Sequence, residues 1–274
     1  MAKPLFELKD VYFSYMGKFP ALCGVNLTIE EGAKVCVIGA NGTGKSTILN
    51  MLDGLIFAGS GSMKAFDRNI TSGVMSEAGF SRVFRKSVGF VFQNPDAQLF
   101  CPSVKEDIMF GPLQLGVQLD KIKKGVDIIA NRLKINNLLN RQPHQLSIGE
   151  KKKVSIACVM AVEPDVFLLD EPTAGLDPAT TRDIIDILLE ENMAGKTIVT
   201  ATHDMHIVGE ISDIAHVLGR NKKIIRSAVP DEILLDCEFL KDNNLVHVHR
   251  HMHDGRIHAH PHLHTEHQVL SHLV

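Results

Sequence analysis

The sequence predicts an α/β fold in which a mainly parallel sheet is covered by helices. Three apolar runs indicate buried strands: 33–38, 166–169 and 197–202. A glycine-rich loop and an apparent helix follow the first run, and a helical pattern over 181–193 separates the last two. Alternation of strand and helix in this order is typical of parallel strands joined by helical crossovers.

The regions outside this core have different patterns. Three short β-rich segments, 5–8, 11–15 and 25–29, precede the first buried run and are separated by turn residues. Residues 95–160 contain no comparable strand run, and we expect this region to be mostly helical.

The composition argues against several classes of protein. Lys plus Arg is 29 and Asp plus Glu is 32, a net charge of −3, whereas a dedicated nucleic-acid binder is usually basic. The five cysteines form no C-x-x-C pair, which indicates reduced thiols in place of a disulfide scaffold. The sequence shows no signal-peptide core and no apolar run near the roughly 20 residues of a membrane span, so we expect a chain that does not cross a bilayer by itself.

The tail over residues 246–274 is a separate compositional unit, since it holds ten of the 14 histidines. Its histidines alternate on both sides of Asp254-Gly255, which is a strong signal for a two-residue hairpin turn. Closing that turn pairs 253 with 256, 251 with 258, 249 with 260 and 247 with 262, and the last three pairs place His opposite His on one face. The candidate metal ligands are therefore His247, His249, His251, His258, His260 and His262.

Two interpretations of the tail stay open at this point. One is the metal-driven hairpin, and the other is a chelating tract without fixed register. In both, imidazole suits nickel, cobalt, copper and zinc, so histidine alone indicates only a borderline divalent metal.

Residues 39–46 fit the phosphate-binding pattern G-x-x-x-x-G-K-[ST]. Glycines let backbone N–H groups turn toward an anion, and the following helix adds its positive end. Lys45 is expected to reach the β- and γ-phosphates and Ser46 to ligate Mg²⁺. A chance match in a chain of this length is on the order of 1%. The predicted ATP-binding residues of this loop are Gly39, Ala40, Asn41, Gly42, Thr43, Gly44, Lys45, Ser46 and Thr47.

Polar residues end the second and third buried strands. Asp170 and Glu171 follow the run 166–169, and His203 follows the run 197–202. We expect Asp170 to hold Mg²⁺ and Glu171 to polarise a water for attack on the γ-phosphate. His203 is then a candidate contact to that phosphate, because ligands of open α/β sheets bind at the strand ends.

The segment Ser147 to Glu150 has two interpretations. Ser147 and Glu150 form an S-x-x-E capping box, which is a common helix start. A helix N-terminus that carries a serine and a glycine, here Gly149, also binds anions. Local physics does not separate these alternatives.

Taken together, these motifs resemble those of ABC transporter ATPases, and the resemblance covers roughly residues 4–245. Six motifs occur in the order and approximate spacing of that family: residues 39–46, Gln93 within 92–95, residues 146–150, residues 168–172, residues 174–177 and His203.

The resemblance implies a nucleotide-binding domain over 1–245, with a RecA-like core, an antiparallel β subdomain and a helical subdomain at about 95–160. It also implies hydrolysis of ATP with Mg²⁺ in a dimer that holds two ATP molecules head to tail. Each ATP would lie between the Gly39 loop of one subunit and Ser147, Gly149 and Glu150 of the other.

Individual roles follow from the same resemblance. Tyr15 matches the aromatic residue that stacks on adenine, with Phe13 as a near alternative. Gln93 matches the glutamine that touches Mg²⁺ and the attacking water and senses the membrane subunit, so Glu171, His203 and Gln93 are the catalytic candidates. Asp177 matches a loop that communicates across the dimer. The sequence departs from the family at Ile148, where glycine is usual.

Residues 92–100, 106–112 and 149–153 are similar to the ATPase subunits of energy-coupling-factor importers, which take up vitamins or cobalt and nickel. This similarity implies a second ATPase subunit, a transmembrane coupling subunit whose arginine meets Asp96, and a membrane subunit that captures substrate. The chain would be peripheral, on the cytoplasmic face of the cell membrane. Combined with the histidine tail, the similarity to these importers favours nickel or cobalt as substrate. The alternatives are a vitamin importer, a soluble ABC ATPase that acts on nucleic acid or ribosomes, and a metal-storage protein.

Overall fold

The computed structural model of the protein describes residues 3–245, together with the backbone of residues 248–253 and 256–261. The strands in these ranges are β1 (Pro4–Tyr15), β2 (Phe19–Glu30), β3 (Lys34–Ile38), β4 (Ser60–Ala65), β5 (Arg68–Asn69), β6 (Val88–Val91), β7 (Val166–Asp170), β8 (Thr197–Thr202), β9 (Ile214–Leu218), β10 (Ile224–Ala228), β11 (Val248–His253) and β12 (Arg256–Pro261). The α-helices are α1 (Lys45–Leu52), α2 (Ser72–Met75), α3 (Ala78–Ser87), α4 (Val104–Gln114), α5 (Leu119–Arg132), α6 (Ile148–Met160), α7 (Pro178–Met193), α8 (Met205–Ile211), α9 (Pro230–Leu234) and α10 (Cys237–Asp242).

The central sheet has six strands in the order β10-β9-β3-β8-β7-β6. All its strands pair in parallel except β10, which pairs antiparallel with β9. The three predicted apolar runs are β3, β7 and β8 at its centre, and every residue of β7 and β8 is buried. The α/β prediction is therefore confirmed, and burial on both faces explains why these strands read as apolar runs.

Successive residues of β7 supply the cores on opposite faces of this sheet. Leu168 joins a hydrophobic cluster with Ile48 of α1, whereas Phe167 joins another with Val154 of α6 and Ile184 of α7. This alternation follows from the two-residue period of a strand. It fixes α1 on one face and α6 and α7 on the other.

A second sheet is antiparallel, in the order β2-β1-β4-β5, and packs on the cluster that contains α1. The segments 5–8 and 11–15 were predicted as separate strands, but they form the single strand β1. Asp10 has a φ of 47°, and the pairing register shifts between Leu8 and Val11, so the strand bends without ending. The segment 25–29 lies within β2.

The region between β6 and β7 contains α4, α5 and α6 together with three short 3-10 helices. Every residue from 95 to 160 is described, and none of them lies in a strand. Ile108, Val126 and Val154 pack together in this region, one from each helix. The expectation of a mostly helical stretch agrees with this arrangement. None of the helices in the described ranges combines the length and apolar character that a membrane span needs.

In the tail, β11 and β12 pair antiparallel, with His249 opposite His260, His251 opposite His258 and His253 opposite Arg256. This backbone register is the one that the hairpin interpretation predicts for these pairs. The fourth predicted pair, 247 with 262, lies outside the described residues.

Candidate functional site

The phosphate loop connects the end of β3 to the start of α1. Gly44 has a φ of 115°, and a Cβ there would lie 2.4 Å from the carbonyl oxygen of Ala21. A Cβ on Gly39 would lie 2.6 Å from the carbonyl oxygen of Leu218. The loop therefore requires glycine at both positions. Gly44 is the N-cap of α1 and no side chain caps this helix, so its first N–H groups are offered to an anion.

Lys45 is buried beneath the loop, with 6% of its surface exposed. Its Nζ donates a hydrogen bond of 2.8 Å to the carbonyl oxygen of Gly39 and lies 3.6 Å from Oε1 of Glu171. Burial lowers the pKa of Lys45, and the carboxylates of Glu171 and Asp170 oppose that shift. The ammonium group is therefore held at the base of the loop, next to the end of β7.

Glu171 follows the last residue of β7 with a φ of 48°, a left-handed conformation that is uncommon for a residue with a side chain. Its Oε1 lies 2.7 Å from Nδ1 of His203, and its Oε2 accepts a hydrogen bond of 3.1 Å from Oγ1 of Thr202. The neighbouring strand β8 thus supplies two contacts to this carboxylate. Two predicted catalytic residues, Glu171 and His203, are in direct contact with each other.

Asp170 lies beside Glu171 with 5% of its surface exposed, and its buried Oδ1 has no hydrogen-bond partner among the described residues. Burial raises the pKa of Asp170, while a hydrogen bond from Ser46 opposes the rise. An unpaired buried carboxylate oxygen is costly unless a cation or donor meets it. Together with the Ser46 hydroxyl, it offers the hard oxygen donors that Mg²⁺ prefers, so the residues fit the predicted ion.

These groups share one cleft of about 460 Å³. Its lining contains predicted residues from four separate parts of the chain: Tyr15, Asn41, Gly42, Gly44, Lys45, Ser46, Thr47, Gln93, Asp170 and Glu171. The other predicted loop residues lie behind the cleft surface. The carbonyl oxygens of Gly39 and Ala40 accept hydrogen bonds from Lys45, and Thr43 is buried, with 2% of its surface exposed. The residues that line the cleft are of the types that bind a nucleoside triphosphate.

Tyr15 lies at the mouth of this cleft with 41% of its surface exposed. Its hydroxyl is 3.3 Å from Oγ1 of Thr47, and its ring meets Phe13 edge to face at 5.0 Å. An exposed ring above a phosphate loop can stack on a base. Phe13 does not line the cleft.

Sequence reasoning missed four residues of the cleft, namely Lys222 and three at the start of β2, Phe19, Pro20 and Ala21. Lys222, in the turn between β9 and β10, donates through Nζ to the carbonyl oxygen of Gly42. Only the central sheet brings Lys222 to the phosphate loop, and no local pattern marks any of the four residues. A lysine beside a glycine-rich loop adds positive charge where phosphates would lie.

The segment 147–150 lies elsewhere. Ser147, Gly149, Glu150 and Asp177 line a different cleft, of about 470 Å³, which does not include the phosphate loop. The capping box is complete: Oγ of Ser147 accepts from the N–H of Glu150 at 3.3 Å, and Oε2 of Glu150 accepts from the N–H of Ser147 at 2.8 Å. Asp177 caps α7 by accepting hydrogen bonds from Thr180. Ile148 is 61% exposed between them.

The described residues supply no cluster that tests the predicted metal ligands of the tail. No group of three or more His, Cys, Asp or Glu side chains within them is arranged to hold an ion. His247 and His262 lie outside the described residues, and only the backbone is described for His249, His251, His258 and His260.

Comparison with known proteins identifies the class. The ABC transporter family model matches residues 22–174. The chain is therefore a member of the ABC transporter family, an ATP-binding subunit that hydrolyses ATP to power transport, and the predicted family, fold and enzyme class are confirmed.

Three relatives are informative. The chain is 45% identical to the nickel import ATP-binding protein NikO of Rhodobacter capsulatus, over 80% of this chain and 87% of that protein. It is 39% identical to the energy-coupling factor transporter ATP-binding protein EcfA of Methanothermobacter thermautotrophicus, over 88% and 76%. The solved structure of CbiO1 from Clostridium perfringens, part of the transporter complex CbiONQ, superposes with a TM-score of 0.75 at 36% identity, over 88% of this chain and 95% of that one.

Proposed function

We propose that this chain is the ATPase subunit of an energy-coupling-factor type importer that takes up Ni²⁺ or Co²⁺ through separate membrane subunits. The observation that carries the metal assignment is a tail with ten histidines on a chain that is 45% identical to a nickel import ATP-binding protein. The relative named as an energy-coupling factor ATPase supports the importer type.

In the proposed mechanism, Ser46, Gln93 and Asp170 would hold Mg²⁺, which would offset the negative charge of the nucleotide phosphates. The unpaired Oδ1 of Asp170 supports this assignment. Lys45 meets the same phosphates from the base of the loop. Its ammonium group already lies 3.6 Å from Glu171, so its charge reaches both the phosphates and the catalytic carboxylate.

Glu171 is the residue that we assign to the attacking water. His203 and Thr202 hold its carboxylate at 2.7 and 3.1 Å, which fixes the direction of its free lone pairs. About half of the His203 side chain is exposed, and we assign to that part the contact with the γ-phosphate. The same carboxylate group therefore receives support from two residues at the end of β8.

A second ATPase subunit is needed to complete the site. Ser147, Gly149 and Glu150 line a cleft that is separate from the phosphate loop of their own chain, so they are available to the nucleotide of another subunit. We propose that ATP lies between the phosphate loop of one subunit and the segment 147–150 of the other, with Asp177 between the two sites. Exposed Ile148 would then face the partner.

The membrane subunits are proposed to dock beside Gln93, at the cytoplasmic face of the membrane. A cavity of about 220 Å³ lies between α3, β6, α4 and α6, and exposed Phe100 and Phe110 flank it. Asp96, the predicted partner of an arginine in the coupling subunit, is paired with Lys151 at 2.6 Å. A docking arginine would therefore share or replace the Lys151 contact.

The tail is proposed to bind Ni²⁺ or Co²⁺ that enters the cytoplasm. The backbone register of β11 and β12, with His249 opposite His260 and His251 opposite His258, supports metal ligation across the hairpin. The predicted ligands are His247, His249, His251, His258, His260 and His262.

The test is elemental analysis of cells at trace metal, comparing the wild-type chain with Glu171→Gln. A selective loss of cellular nickel or cobalt supports the proposal and identifies the ion. Unchanged metal contents move the substrate to an organic cofactor such as a vitamin. A chain that ends at residue 245 is the control for the tail, because uptake should persist while metal retention falls.

A further inference from the structure

Lys152 of α6 is a buried cation that the mechanism above does not use. It is 2% exposed, and its Nζ donates a hydrogen bond of 3.1 Å to the carbonyl oxygen of Phe92. Burial lowers the pKa of Lys152 to about 8, although Asp170 and Glu171 act in the opposite direction. Lysine is among the residues most rarely buried, because desolvating its ammonium group is costly. An apolar side chain at this position would avoid that desolvation cost. We therefore expect a role for the hydrogen bond from Lys152 to Phe92, which an apolar side chain could not make.

Phe92 immediately precedes Gln93, and both of its backbone polar groups are tied to α6. Its carbonyl accepts from Lys152, and its N–H donates to Oε1 of Gln98 at 3.3 Å. The Nε2 of Gln98 in turn donates to the carbonyl oxygen of Ser155, also on α6, at 2.9 Å. The two peptide units that flank Phe92 are thus held by one helix, the unit before Gln93 directly through Lys152 and the unit before Phe92 through Gln98.

A third contact lies on the surface. Lys151 pairs with Asp96 at 2.6 Å, but the Asp96 side chain is 64% exposed, so this pair contributes little to stability. The buried pair of Lys152 and Phe92 is the stronger constraint, since it is shielded from solvent. The helix that carries these contacts has Ser147 as its N-cap.

We propose that Lys152 is a positioning residue for Gln93. It ties the peptide before Gln93 to α6, so that the Gln93 amide keeps a fixed position relative to the helix that begins at the segment 147–150. The inference rests on the proposed role of Gln93 at the Mg²⁺ site. It assigns Lys152 no contact with substrate.

The competing explanation is direct electrostatics, because the charge of Lys152 also acts on Asp170 and Glu171. The two explanations differ in what they require. Positioning acts only through Gln93, whereas electrostatics acts on the carboxylates whether Gln93 is present or not. A double-mutant cycle separates them.

The experiment measures ATPase kinetics of the full chain with Lys152→Met, Gln93→Ala and the double variant. We expect Lys152→Met to lower kcat by roughly 10- to 100-fold, the scale of a misplaced catalytic group, while KM for ATP is unchanged. In the Gln93→Ala background, the same change should have no further effect. An equal fold loss in both backgrounds overturns the proposal in favour of electrostatics.

Two further variants keep the test decisive. Lys34→Met is the matched control. Lys34 is a partly buried lysine that pairs with Asp213, at the opposite end of β3 from the phosphate loop. The kcat of this variant should equal that of the wild type. If Lys152→Met fails to fold, Gln98→Leu removes the hydrogen bond to the N–H of Phe92 and enters the same cycle. It should lower kcat only when Gln93 is present. Wild-type kcat for Gln93→Ala alone contradicts the proposed role of Gln93 itself, an outcome distinct from failure of the Lys152 proposal.

Discussion

The N-termini of α1 and α6 both belong to the proposed nucleotide site, but they begin in opposite ways. The start of α1 is Gly44 in a left-handed conformation with no capping side chain. The start of α6 is Ser147 in a complete capping box with Glu150. Free N–H groups suit a ligand, whereas the capping box of α6 already occupies the N–H groups of Ser147 and Glu150.

This difference indicates that the segments at the starts of α1 and α6 have different roles in the proposed site. In the α1 half, Lys45, Asp170 and Glu171 line one cleft together with the phosphate loop. The α6 half is an exposed surface, with Ile148 61% exposed, and the cleft that it lines does not include that loop. In the proposed mechanism, the α1 half carries out hydrolysis and the α6 half of another subunit completes the site, so variants in the two halves should fail differently.

The largest effect is expected in the α1 half, from Glu171→Gln. The amide keeps the shape of the side chain but cannot accept a proton from the attacking water, so kcat should fall by roughly 10²- to 10⁴-fold. Phosphate release measures kcat, and a fluorescent nucleotide measures binding, which should persist. Normal turnover would refute the assignment of Glu171.

The next largest effect is expected on the pH dependence of stability, from His216 in the central sheet. His216 on β9 pairs with Val37 of β3, and burial lowers the pKa of His216 to about 4. Because an unfolded histidine titrates near 6.5, the unfolded chain takes up the proton first as the pH falls. The stability that neutral His216 contributes is present above about pH 6.5 and is lost toward pH 4, by up to roughly 3 kcal/mol.

The measurement is the free energy of unfolding in urea at several pH values, for the wild type and His216→Gln. Glutamine does not titrate, so the difference between the two chains should shrink as the pH falls from 6.5 to 4. Parallel pH profiles would show that His216 is not the group responsible.

The loop itself offers a matched pair of glycines. In Gly44→Ala the new Cβ meets the carbonyl oxygen of Ala21 at 2.4 Å, whereas Gly42→Ala meets no atom within 4 Å. Both carry the cost of a left-handed alanine, about 1–2 kcal/mol, but only the first must also displace backbone. We expect Kd for ATP, measured by calorimetry, to rise more than tenfold, about 1.4 kcal/mol, for Gly44→Ala and less for Gly42→Ala. Equal losses would show that the close contact is unimportant.

The smallest effect is expected in the α6 half. Ser147→Ala removes an N-cap and should cost about 0.5–2 kcal/mol in urea unfolding. Ser103 caps α4 through the same contact, to the N–H of Glu106 at 3.3 Å, so Ser103→Ala should cost about the same. Only Ser147→Ala should also slow the ATPase, and it should leave ATP binding by the single chain intact. If both serine variants slow the ATPase equally, Ser147 acts only as a cap.

The two halves also differ in how far the sequence alone predicts them. The phosphate loop is contiguous, and Glu171 and His203 directly follow neighbouring parallel strands, so their meeting follows from strand order. The capping box follows from four adjacent residues. In contrast, Lys222 reaches Gly42 and Lys152 reaches Phe92 only through tertiary packing, with no local pattern to mark them. The bend at Asp10 divided the periodicity of β1 and suggested two strands where there is one.

We propose above that ATP joins the phosphate loop of one subunit to the segment 147–150 of another. The most direct test is the mass of Glu171→Gln in solution, by light scattering, with and without Mg²⁺ and ATP. We expect ATP to double the mass, and Glu171→Gln combined with Ile148→Glu to stay monomeric, because a carboxylate at this exposed position would repel the triphosphate of the partner. An unchanged mass with ATP bound, or an equal doubling in the double variant, would contradict the account.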